Sequence, residues 1–79
     1  MVTIEELKET FTAVFGAELN IADITESSNL RKDIGMTSIH LLYMAMVLEE
    51  KYHVRFTNSD FETVVTIGDV INKIQGGNN

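Results

Sequence analysis

The sequence predicts an all-α domain: a small bundle of three main helices plus one short helix, with a long loop between the first two. Three observations carry that expectation. Apolar residues recur at helical spacing in three separate segments. Two of these segments open on a Thr with an acid three residues later, Thr3 with Glu6 and Thr66 with Asp69, the pattern of a capping box. The stretch joining the first segment to the second has neither the period of a helix nor the alternation of a strand.

The first helix follows Thr3 and carries its stripe on Ile4, Leu7, Phe11, Val14 and Phe15, with Glu5, Glu6, Lys8 and Glu9 facing water and Gly16 as the stop. Residues 16–37 are rich in Ser, Asn, Asp and Gly. Their scattered Leu19, Ile21, Ile24, Leu30 and Ile34 are placed to pin a loop onto a core, with room for a helical turn at 21–24. The segment 38–52 is apolar nearly all round. Leu41, Ala45, Leu48 and Tyr52 make a core stripe, and Ile39, Leu42 and Met46 make a second one rotated away from it. Tyr43, Met44 and Val47 fill the gaps, and His40 is the only plainly polar residue between 39 and 48. A domain this small can hardly bury such a helix on every side, so one stripe is expected to face solvent for docking; the alternative is a central helix enclosed by its neighbours.

Val54 and Phe56 then anchor a polar stretch. A short helix is expected after Asn58 or Ser59, with Asp60 in its first turn and Phe61, Val64 and Val65 inward. The last helix carries Ile67, Val70, Ile71 and Ile74. The expected core is Leu7, Phe11, Leu41, Leu48, Tyr52, Val70 and Ile74, within a single domain at 1–75 and a frayed tail at 76–79.

Composition narrows the function. Twelve acids against six bases give a net charge of −6, the wrong sign for nucleic acid or an anionic membrane surface and suited to docking on basic patches. With no Cys, disulfides and thiolate metal sites are out, and His40 and His53 lack metal-ligand spacing. No run is long enough for a stable membrane insertion and no signal peptide is evident, so a cytoplasmic monomer is expected. A Ser-His-Asp hydrolase finds little support. Ser38 and His40, two apart on a helix, diverge, and His53 has no obvious carboxylate to orient it.

The run Asp-Ile-Gly-Met-Thr-Ser-Ile at 33–39, followed by Leu-Glu-Glu-Lys-Tyr at 48–52, resembles the acyl carrier protein family, whose pattern is D-L-G-x-D-S-L and then L-E-E-x-F. The register is ungapped from Asp33 to Ile74. The resemblance implies a non-catalytic carrier whose Ser38 receives 4′-phosphopantetheine from coenzyme A through a phosphopantetheinyl transferase. Acyl-loading and acyl-processing enzymes of a fatty acid, polyketide or related specialised pathway would then meet the thioester-bound cargo. It implies a docking surface of Thr37, Ile39, Leu42, Tyr43, Met46, Glu49 and Glu50. Read from the residues alone, Ser38 or Thr37 could simply cap the helix.

The chain departs from the family pattern at several points. Thr37 stands where Asp is usual, His40 and Tyr43 occupy positions that are commonly acidic, and Arg31 and Lys32 bring positive charge before the motif. Negative potential around Ser38 should be weaker and partner contact more apolar than in a typical fatty-acid carrier. The large Phe61 is expected to narrow the interior site where such proteins shelter acyl chains, or to serve plain core packing. A carrier-fold interaction domain without the cofactor stays open as the rival reading.

Overall fold

A computed structural model describes residues 2–76 of the chain. Among the described residues there are four α-helices: α1 (Ile4–Phe15), α2 (Ser38–Tyr52), α3 (Asp60–Thr63) and α4 (Ile67–Gly76). Among the described residues there is no strand, only one bridge between Asn29 and Thr66. Gly76, placed with the tail by composition, is the last residue of α4, and the remaining tail positions 77–79 lie outside the described residues.

The three longer helices each start on a Thr whose hydroxyl and backbone are paired with the side chain three residues on. At α1, Glu6 accepts from the Thr3 N–H at 3.0 Å while Thr3 Oγ1 accepts from the Glu6 N–H at 3.2 Å. At α4, Asp69 accepts from the N–H groups of both Val65 and Thr66, and Thr66 returns the bond. Those two backbone donors hold the Asp69 carboxyl below its ordinary pKa. The short α3 follows Ser59, which makes no side-chain cap bond, and the reciprocal pair of Thr57 and Asp60 closes the turn leading into it. The Thr57 N–H, with the Lys73 ammonium 3.0 Å away on α4, lowers the Asp60 pKa.

The core is built as the periodicity predicts. Leu7, Phe11, Leu41, Leu48, Val70 and Ile74 are buried, together with Val54, Phe56 and all five loop residues expected to pin the connection. Full burial of a side chain such as Leu48 or Leu7 contributes roughly 1.5–3 kcal/mol. Two expectations are corrected. Tyr52 is half-buried and packs against the edge of the core rather than within it. Val65 points outward: its C=O accepts from Leu30 and its N–H donates to Asp69, so the linker backbone is fixed with the side chain in solvent.

The long connection is irregular but fastened. α1 runs into a 3₁₀ turn at Gly16–Glu18, while at 21–24 there is only a turn closed by the Ile24 N–H on the Ile21 carbonyl. Further on, Ser28 and Glu26 carbonyls accept from the Ile67 and Gly68 N–H groups, and the Leu30 N–H donates to Val65. Gly68 makes this approach feasible, since a Cβ there would sit 3.2 Å from the Glu26 carbonyl oxygen. The loop is thereby docked on the start of α4.

Candidate functional site

The approach to α2 is set by Asn29 and Asp33. Asn29 Oδ1 accepts from the N–H groups of Arg31 and Lys32, and Asp33 Oδ2 accepts from the Asn29 N–H at 2.7 Å. The Asp of the motif therefore serves the loop. Gly35 follows with φ +94°, a left-handed conformation that a side chain would strain, and the chain turns there into Thr37.

Thr37 is the N-cap. Its backbone is extended, and its hydroxyl accepts from the His40 N–H while His40 Nδ1 accepts from the Thr37 N–H at 2.9 Å. Of the two candidates for the cap, Thr37 takes the role and Ser38 does not. Ser38 is the first residue of α2, exposed, and its hydroxyl makes no hydrogen bond with any described residue. The N–H groups of Ser38 and Ile39 have no intrahelical acceptor, and the first turn holds no acid, so this helix end is electropositive. Beside Ser38 lies a cleft of about 230 Å³ lined by Arg31, Leu41, Leu42 and Phe61. Phe61 also lines a neighbouring cleft of about 290 Å³ with Val64 and Val65, and its ring centroid is 6.3 Å from that of Phe56.

Ile39, Leu42, Tyr43 and Met46 are exposed together, with Ile39 and Met46 at 77% and 62%. Spacing of i, i+3, i+4 and i+7 puts them on one face, and Glu50, also exposed, continues it by a turn. Leu41, Met44, Ala45 and Leu48 are buried on the other face. Glu49 lies at the edge of the outer stripe, half-buried, with Oε2 accepting from the Phe56 N–H at 2.8 Å.

The structure thus gathers Thr37, Ser38, Ile39, Leu42, Tyr43 and Met46 at one end and face of α2, with Glu49 and Glu50 near its other end. Phosphate chemistry suits this place: a hydroxyl unengaged by any described residue, the N–H groups of a helix's first turn, and Arg31 in the wall of the same cleft. Among the described residues no cluster of His, Asp or Glu could hold a metal ion, and no helix is long and apolar enough to cross a membrane.

Residues 5–74 match the family described as the phosphopantetheine attachment site. The chain belongs to that family. It is 34% identical over 71 residues to an acyl carrier protein of Helicobacter pylori, covering 87% of this chain and 91% of the relative. Identity to the acyl carrier protein of Chlamydia muridarum is also 34% over 71 residues, covering 87% and 92%. To that of Campylobacter fetus it is 31% over 78 residues, covering 96% of each chain. Membership of the phosphopantetheine-attachment family makes this a non-catalytic carrier of the acyl-carrier type.

Two participants were missed in the sequence. His40 reads as a stray polar residue on an apolar helix, yet it fills the third position after the cap, where Glu or Gln is usual. Glu49 reads as a docking acid, and its bond to the Phe56 N–H has no sequence signal because the partner lies beyond the helix end.

Proposed function

We propose that Ser38 carries a 4′-phosphopantetheine arm and that the chain presents acyl groups held on it to successive enzymes of a fatty acid, polyketide or related specialised pathway. The observation that carries this reading is the division of labour at 37–38: Thr37 caps α2, and the exposed Ser38 hydroxyl has no partner among the described residues. In the loading step Ser38 Oγ attacks the pantetheine-bearing phosphorus of coenzyme A. An O–P bond to Ser38 forms, the pyrophosphate P–O bond breaks, 3′,5′-ADP leaves, and the hydroxyl proton passes to a base on the transferase. Once attached, the arm supplies a thiol that holds acyl groups as reactive thioesters at high effective concentration. The N–H groups of the first turn of α2, with Arg31 in the same cleft, would balance the phosphodiester charge. The Ile39, Leu42, Tyr43 and Met46 stripe, with Thr37, Glu49 and Glu50 around it, would be the face the transferase and the acyl-processing enzymes read.

The test is the intact mass of the protein after incubation with coenzyme A, Mg²⁺ and a phosphopantetheinyl transferase of broad specificity, with Ser38→Ala alongside. An adduct of one phosphopantetheine on the wild type and none on the variant is expected. No adduct with a cognate transferase as well would favour the carrier-fold interaction domain, which needs the same apolar stripe but no arm.

A further inference from the structure

We infer that His40 is a positioning residue for Ser38, and that it makes the start of α2 sensitive to protonation where the other helix starts are not. The inference about loading rests on the proposed role of Ser38; the inference about the cap does not.

The hydrogen bonds fix the tautomer. The Thr37 N–H has only a proton to offer, so His40 Nδ1, 2.9 Å away, must present a lone pair. The proton of the neutral ring then sits on Nε2, which faces Glu18 Oε1 at 3.4 Å. The Thr37 hydroxyl, 3.0 Å from Nδ1, can turn to suit either state of the ring, donating to a bare nitrogen or accepting from a protonated one. The Thr37 amide cannot. When Nδ1 gains a proton, two N–H groups face each other across 2.9 Å and that half of the box is lost.

The surroundings give the protonated ring somewhere to go. Glu18, on the 3₁₀ turn after α1, is the charged group facing the imidazole. Its attraction grows once the ring is cationic. Phe15 of α1 stands edge-on to the ring at 5.4 Å and also packs on Tyr43, the other titratable group on this face. Protonation therefore strengthens the contact to the 3₁₀ turn while it abolishes the contact to the Thr37 N–H. The backbone affected is residue 37, directly before the serine. At α1, α3 and α4 the equivalent acceptor is a carboxylate, which keeps its lone pairs throughout the range of about pH 5 to 8 where imidazoles titrate.

The experiment is an NMR titration of the full-length ¹⁵N-labelled protein across that range. It reads the His40 ring nitrogens together with amide-exchange protection, corrected for the intrinsic pH dependence of exchange. At the upper end Nδ1 should be bare and Nε2 protonated. As the ring titrates, Thr37 protection should fall about tenfold in step with it, while the Thr3 and Thr66 amides stay level. His40→Gln keeps an acceptor at this position without a titrating group, and its Thr37 protection should be flat. A neutral ring with its proton on Nδ1, or Thr37 protection that ignores the His40 titration, would overturn the switch.

Loading is measured as the ratio of His40→Gln to wild-type rates at matched pH, which cancels the transferase's own pH profile. The ratio should rise toward low pH, and a constant ratio would sink the coupling to Ser38. If neither protein loads at any pH, it is the Ser38 reading that fails, and the NMR result stands by itself.

Discussion

The two ends of α2 are built from the same kind of sequence and do opposite work. At the N-terminal end the cap is local: Thr37 and His40 satisfy each other, and Ser38 and Ile39 are left in solvent. At the C-terminal end two charged side chains are tied to other parts of the fold. Glu49 holds the Phe56 N–H, Lys51 reaches Thr10 of α1, and His53 closes the helix in a left-handed conformation with its N–H on the Glu49 carbonyl. A self-contained cap leaves neighbouring groups available to a partner, whereas ties to distant residues contribute stability to the fold.

That contrast can be broken in four ways. The largest effect is expected on the outer face. Leu42→Asp combined with Met46→Asp should slow partner reactions at least about tenfold at unchanged thermal stability; turnover with a loading enzyme is the measurement, and intact rates would remove the stripe from function. At the other end, Glu49→Ala should lower stability by about 1–3 kcal/mol, because the Phe56 N–H loses its acceptor in a partly buried place. A drop in the urea midpoint with the slope unchanged would show it.

Acid separates the caps by chemistry. Asp60 and Asp69 have folded pKa values below the ordinary carboxyl value, so the unfolded chain binds protons more readily than the folded one. Their contribution is complete above the unfolded value of about 4 and is lost as pH falls through the folded values. A pH series of urea midpoints should therefore decline below about pH 4, and Asp69→Asn should flatten that decline.

The smallest effect concerns the end of α2. His53 sits at φ 59°, where a Cβ is strained, so His53→Gly should raise stability by about 0.5 kcal/mol, read as a small rise in the urea midpoint.

Much of the molecule was legible because its determinants are local. The α1 and α4 capping boxes lie within four consecutive residues, and the core stripes follow from a 3.6-residue period. The exposed stripe of α2 was legible for a different reason: a helix apolar all round cannot be covered by so short a chain. Less accessible were contacts between segments. Met36 is buried at 3% although nothing in the loop's composition marks it, and Val65 faces out although it lies in an apolar run. Whether Thr37 or Ser38 caps the helix was undecidable from residue type, since both are good caps.

By itself the sequence determined that four helices form, which faces of α1, α2 and α4 are apolar, and that a serine stands where a loop meets the longest helix. These depend on near neighbours along the chain, and their signals are periodic or lie a few residues apart. The tertiary structure decided that the loop at 26–30 docks on the start of α4, that Thr37 rather than Ser38 is the cap, and that His40 lies between Thr37 and Glu18. The Glu18 contact joins positions 22 residues apart, and only the closed bundle brings such groups within a hydrogen bond of one another.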